Sequence, residues 1–324
     1  MSSTTEERRQ KNTTDIDIGG VRASFLMMAQ RIGKPLAQIA PETGVNYTTL
    51  AAWSKDNYAG NNDRIARQIN AWLTTREAQD RAKSTMRAAP PFTMTPTASR
   101  IWEVLEYGQT MPDMVLICAD PGVGKTISIN AYAASASNVW VMTAQPVHET
   151  LGSVMTLLAR TLRIEWIARA SAQSHMIQQR LTGSKGLLII DEAQFLSSLL
   201  RDQIRSTVFD GAGIGVAFVG SEDLRAQHSR ERMNGKNAQL FSRIGLRFTR
   251  SKPLKGDVNT LLDAWGVDDD NARSACLGIA MKPGANRAMS KVLVLACSMA
   301  DARGDEAPNA GDVETAWQQL GGNA

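Results

Sequence analysis

The chain has 324 residues, of which 43% are hydrophobic and 21% charged, and its net charge is +4. That length holds two or three domains with sizeable cores. It contains no apolar run long enough to span a membrane, and its polar start lacks the apolar centre of a secretory signal. Cys118, Cys276 and Cys297 are isolated and lack metal-ligand spacing, which fits a reducing cytoplasm. The positive surplus sits early: residues 1–90 carry +4, residues 91–250 carry +3 and residues 251–324 carry −3. Such a balance permits a nucleic-acid partner and serves equally for a solvated surface.

Residues 1–20 are polar and read as a disordered tail. Residues 21–83 read as helical. Within them Ala40, Gly44, Val45, Leu50 and Trp53 have helix-turn-helix spacing: a small residue for close crossing, a glycine for the left-handed turn, and apolar residues that pack the second helix back. The exposed face of that helix would carry Asn46, Thr48, Thr49 and Lys55, which can touch phosphates or base edges. A helical bundle for protein contacts is the alternative. Pro41 fits only in the opening turn of the first helix of the pair. A further helix is expected near residues 62–76. Residues 84–97 contain three prolines and read as a linker between independent cores.

From residue 98 helices and strands alternate. Strands are expected at 114–118, 139–143, 187–190, 215–219 and 246–249. Helices are expected at 98–107, 125–135, from near His148 to Leu162, up to Leu181, and at 198–209. This order implies an α/β fold with a parallel, doubly wound sheet over residues 98–250, whose ligands bind at the carboxyl ends of the strands. Residues 251–324 read as four helices, 254–264, 270–281, 285–301 and 310–320, forming a small separate domain.

Two motifs carry the chemistry. Asp120-Pro121-Gly122-Val123-Gly124-Lys125-Thr126 lies between an expected strand and an expected helix. Its backbone N–H groups can wrap phosphates, Lys125 can reach the β and γ phosphates of a nucleoside triphosphate, and Thr126 can ligate Mg²⁺. The first position of this loop pattern is normally glycine and here is Ala119, which fits if its φ is negative. Sixty-five residues after Thr126, the apolar run Leu187–Ile190 ends in Asp191 and Glu192. Asp191 would hold the Mg²⁺ shell and Glu192 would polarise the attacking water. Binding and hydrolysis of a nucleoside triphosphate follow. His148 and His175 have no metal partner pattern.

A parallel-sheet core with these motifs and a small helical lid resembles the AAA+ ATPases. The order of helix-turn-helix, Pro-rich linker, Asp120–Thr126, Ile189-Ile190-Asp191-Glu192-Ala193, Leu240-Phe241-Ser242-Arg243-Ile244 and Lys282-Pro283-Gly284-Ala285 resembles the phage Mu transposition protein B family. The resemblance implies an ATPase that assembles as a helical filament or ring on double-stranded DNA and delivers that target to a transposase, in the bacterial cytoplasm. It also implies that Ser221 senses the γ-phosphate at the end of the fourth strand. Arg243 would reach a neighbouring subunit's nucleotide, and Arg287 in Gly284-Ala285-Asn286-Arg287 would touch phosphates in cis. Within that family a dense basic run precedes the helix before the acidic strand; residues 166–175 here hold only Arg169 and His175. DNA contact would therefore be shared more widely than Arg169, with Arg160, Arg163, Arg201 and Arg205 as further candidates; a solvated helix face is the alternative reading for any one of these four. A helicase loader and an ATP-switched transcriptional regulator are the rival readings.

Overall fold

The computed structural model describes residues 16–165, 169–233 and 243–322. The chain divides into two compact units, residues 1–87 and 88–324.

In the first unit α1 (Ile18–Ile32) starts behind Asp17, whose carboxylate accepts from the Gly20 N–H, and stops at Gly33 in the left-handed conformation. Residues 18–20, expected in the tail, therefore form helix; residues 1–15 of that tail lie outside the described residues. Helices α2 (Leu36–Thr43) and α3 (Tyr47–Ser54) follow, joined through Gly44 at φ 69°. Pro41 lies in the second turn of α2, not the first. There it removes one helical hydrogen bond, the one to the Ala37 carbonyl, from an eight-residue helix. Thr43 Oγ1 donates to the Ala40 carbonyl and accepts from the Val45 N–H, which closes the turn. Helix α4 spans Asn62–Thr85 and runs into the expected linker. The core of the unit holds Phe25, Ile39, Leu50, Trp53 and Ile69, all fully buried, with Phe25 edge-on to Trp53 and Trp72.

In the second unit α5 is Pro96–Thr110, with Thr95 as its N-cap. Proline is accepted at that first helical position because its missing N–H would have had no partner there. The five strands are β1 (Met114–Ala119), β2 (Val139–Thr143), β3 (Leu187–Asp191), β4 (Gly215–Gly220) and β5 (Ile244–Arg250). They form one parallel sheet in the order β2-β3-β4-β1-β5. β1, β3 and β4 are buried throughout, as strands covered on both faces must be. One face packs against α5 and α6 (Lys125–Ser135); the other packs against α7 (Leu151–Leu162), α8 (Ala170–Leu181) and α9 (Ser198–Ile204). Helix α7 begins at Leu151, not at His148, because Thr150 and Ser153 form a capping box. The helix expected over 198–209 is α9 followed by a π-helical stretch, Arg205–Asp210. Helix α10 is Glu222–Met233.

Four helices complete the unit: α11 (Lys255–Trp265), α12 (Asp270–Ala280), α13 (Ala285–Arg303) and α14 (Ala310–Gln319). They share their own core around Val258, Leu262, Cys276, Leu293 and Cys297. Asp257 ties α11 to α5. It is fully buried and accepts from the Thr97 N–H at 2.7 Å, the Thr97 hydroxyl at 2.6 Å and the Leu254 N–H at 2.7 Å. Removing the carboxylate strands the buried N–H and hydroxyl of Thr97. Asp257→Ala is expected to destabilise the protein by about 3 kcal/mol or more. A chemical-denaturation midpoint within error of the parent would show that the contact contributes nothing.

Candidate active site

Among the described residues, no helix is long and apolar enough to cross a membrane, and no group of His, Cys, Asp or Glu forms a metal cluster. The chemistry converges at the carboxyl ends of β1, β3 and β4. Ala119 closes β1 in extended backbone, so its methyl group causes no strain where glycine is usual. Gly122 and Gly124 take φ 87° and 112°, values that side chains resist. Helix α6 then opens without a side-chain cap, so its first N–H groups are left for a ligand. Cys118, one residue before the loop, is inert: burial pushes its thiol up to about 12.

Lys125 is buried, and its ammonium donates to the carbonyl oxygens of Ala119 and Asp120. Burial pushes its pKa down, and Glu192, Asp191 and Asp120 act against that shift. Thr126 Oγ1 donates to Asp191 Oδ2 at 2.9 Å. Asp191 is 2% exposed. Burial raises its pKa, opposed by the hydrogen bonds from Thr126 and from the Glu192 N–H. Thr126 and Asp191 thus place two hard oxygen donors together beside a phosphate-binding loop, a set that suits Mg²⁺. Glu192 adopts φ 56°, a left-handed conformation costly for a side-chain residue. Such strained backbone directly after a strand is a common device for presenting a reacting group.

A cleft of about 760 Å³ opens over this loop, the size of a nucleotide site. Pro121 to Thr126, Glu192 and Ser221 line it, and so do residues of α13. Asp120 and Asp191 sit behind the lining, the first through its carbonyl contact with Lys125, the second through Thr126. The Ser221 hydroxyl accepts from the Asp223 N–H and so caps α10. Helix α13 approaches the loop closely: a methyl on Gly122 would lie 2.0 Å from the Gly284 carbonyl. Arg287 is near enough to Lys125 to help lower its pKa. Lys291 and Val294 line the same cleft one and two turns further on, so the cleft runs about 10 Å along the helix from a basic end to an apolar one.

Sequence reasoning missed several of these residues. Pro91, Phe92 and Thr93 line the cleft, so the second half of the expected linker belongs to the nucleotide site. Phe92 stacks on Trp102, with ring centroids 5.9 Å apart and planes within 4°, and Trp102 is itself bonded to the Ser128 carbonyl. The one aromatic residue in a Pro-rich stretch was the available clue. Leu261, Trp265 and Asn286 were missed as well.

The remaining expected residues lie outside the lining of this cleft. Arg243 precedes β5, whose first residue pairs with the first residue of β1; the phosphate loop is at the other end of that strand. Six residues of strand separate them by roughly 17–20 Å, so Arg243 cannot reach its own chain's loop. Its guanidinium is 51% exposed, pairs with Asp210 at 3.1 Å and lies 5.9 Å from the Phe209 ring centroid. Residues 240–242 of its motif lie outside the described residues. Arg160, Arg163 and Arg169 are exposed around the end of α7 and the start of α8; residues 166–168 between them lie outside the described residues.

Arg201 and Arg205, expected as DNA contacts, are corrected. Arg201 is 3% exposed and donates to the Leu196 carbonyl and to Gln227. Arg205 is 7% exposed and paired with Asp202 and Asp210. Both guanidinium groups are spent inside the fold. In the first unit Asn46, Thr48 and Lys55 are exposed and Thr49 is half-buried; the Asn46 side chain caps α3 by accepting from the Thr48 N–H.

The sheet order places β4 between the phosphate-loop strand and the acidic strand, and the site is that of a P-loop ATPase of the AAA+ class. Residues 110–227 match the AAA domain model, and residues 242–320 match the model of the Mu B transposition protein C terminus. The Mu-like prophage FluMu DNA transposition protein B of Haemophilus influenzae is 32% identical over 241 residues, covering 72% of this chain and 81% of that one. The ATP-dependent target DNA activator B of Escherichia phage Mu is 28% identical over 291 residues, covering 90% and 92%. Among solved structures, the Aeropyrum pernix ORC2 protein shares the fold with a TM-score of 0.54 at 19% identity, covering 72% of this chain and 70% of that one. The chain belongs to the Mu B transposition protein family.

Proposed function

We propose that the protein binds double-stranded DNA when loaded with ATP, assembles on it as a homo-oligomeric filament or ring, and presents that DNA to a transposase inside the bacterial host. The observation that carries the reading is the convergence of Lys125, Thr126, Glu192 and Arg287 on one cleft, with Asp191 behind Thr126, in a chain whose relatives are named ATP-dependent target DNA activators. ATP is the substrate. The loop from Asp120 to Thr126 holds its phosphates, and Lys125 moves from the carbonyls of Ala119 and Asp120 onto them. Thr126 and Asp191 hold Mg²⁺, which when bound neutralises phosphate charge. Glu192 takes the proton of the attacking water, Ser221 marks the γ-phosphate, and Arg287 draws the C-terminal helices, residues 251–324, over the cleft as a lid.

Arg243 serves a neighbouring subunit, since its own site is out of reach. Residues 21–83 act as a helix-turn-helix module through Asn46, Thr48, Thr49 and Lys55, with Arg160, Arg163 and Arg169 as further phosphate contacts. Residues 88–95 belong to the nucleotide domain.

The test is DNA binding measured with two unrelated duplexes, with and without ATP, across a salt series. Binding should require ATP, ignore sequence and weaken steeply with salt. Lys125→Ala should lose both nucleotide binding and DNA assembly, because the cation that meets the β and γ phosphates is gone. Protection confined to one sequence, or full assembly by Lys125→Ala, would overturn the reading.

A further inference from the structure

Directly after Glu192 the chain makes a 3₁₀ turn, Ala193–Phe195. Gln194 sits in its middle and lines the cleft. Its Nε2 donates to Glu192 Oε2, and its Oε1 accepts from the Ser221 N–H at 3.3 Å. One carboxamide therefore joins the end of β3 to the end of β4. The orientation of that amide is determined: the Ser221 N–H can only donate, so the amide oxygen must face it and the NH₂ must face the carboxylate. Space for the oxygen depends on Gly220, where a methyl would lie 2.4 Å from it.

The turn is itself pinned from below. The Gln194 carbonyl accepts from Gln227 Nε2 at 3.2 Å, Gln227 Oε1 accepts from Arg201 at 3.0 Å, and Arg201 also donates to the Leu196 carbonyl at 2.8 Å. The buried Arg201, unable to touch DNA, is thus part of the footing of the catalytic turn.

We propose that Gln194 is a positioning residue for hydrolysis. It holds one oxygen of Glu192, leaves the other to the cleft, and keeps that carboxylate in register with the strand end that carries Ser221. A glutamate at this position would still accept from the Ser221 N–H, but it would set a second negative charge against Glu192 and offer no donor. The inference rests on the reading of Glu192 as the carboxylate that activates water.

The experiment compares ATP affinity and single-turnover hydrolysis for Gln194→Glu and Gln194→Ala, each alone and combined with Glu192→Gln. Affinity should stay within about twofold, which also reports that the variants fold. The hydrolysis rate should fall between about tenfold and 10²-fold, as expected when a reacting group loses its orientation, with Gln194→Glu the slower of the two. On the Glu192→Gln background neither change should slow the residual rate further, because the group being positioned is already gone. A parent-like rate for Gln194→Glu, or losses that add to those of Glu192→Gln, would overturn the role of Gln194 alone. Parent-like turnover by Glu192→Gln would instead sink the reading of Glu192, and this inference with it.

Discussion

Glu192→Gln is expected to slow ATP hydrolysis by about 10²–10⁴-fold while leaving ATP binding intact. The amide keeps the shape of the carboxylate but cannot take a proton from water. The neighbouring parts are untouched: Thr126 still meets Asp191, and Lys125 still lies at the loop. The Gln194 contact also survives in form, because the amide oxygen of a glutamine at 192 can accept the same hydrogen bond. With ATP bound and not consumed, complexes with DNA should become long-lived. The measurement is paired: ATP hydrolysis under saturating DNA, and the lifetime of the DNA complex after dilution. Turnover near that of the parent would assign the general base elsewhere. Shortened complexes would separate hydrolysis from release.

Arg243→Ala is expected to reduce DNA-stimulated hydrolysis by on the order of 10³-fold, the scale on which arginine fingers act in other phosphoryl-transfer enzymes. Arg243 stands at the amino end of β5, the wrong end of the sheet for its own phosphates. Its half-exposed guanidinium is held towards solvent by Asp210 and the Phe209 ring. A cation presented in that way can meet a second copy of the chain. ATP binding by a single subunit should be nearly unchanged, since Lys125 and Thr126 remain. ATP-dependent oligomers should disappear. Mixing Arg243→Ala with Lys125→Ala should restore part of the activity, because one subunit then contributes the arginine and the other the loop. If the pair with Asp210 is its only role, the substitution costs at most about 1 kcal/mol of stability and leaves assembly untouched. DNA-stimulated hydrolysis and oligomer size, measured on both variants and the mixture, decide between these outcomes.

The sequence by itself determined the site that local chemistry can specify. A glycine-rich loop between an apolar strand and a helix has few uses, and its Lys125 and Thr126 are placed by the loop's own geometry. Strands β1, β3 and β4 were legible because each is a short, nearly unbroken apolar run, which only a sheet covered on both faces accepts; β5 is mixed instead, with Ile244 and Phe248 buried and Arg247 exposed. Helix ends were less legible where a cap or a proline decided them, as at Thr150, Pro96 and Asp17.

Tertiary structure decided the rest. Arg201 and Arg205 look like solvated cations in sequence, yet the fold buries both, and Arg201 meets Gln227, 26 residues away on α10. Residues 89–93 look like linker until Phe92 meets Trp102 and the stretch closes over the phosphate loop. Gln194 carries no motif of its own; its meaning comes from Ser221, 27 residues away just past the end of the neighbouring strand β4. Backbone conformation and apolar periodicity are properties of neighbours along the chain, so sequence records them directly. Burial and hydrogen-bond partnership are properties of neighbours in space, and only the folded sheet with its covering helices brings those together.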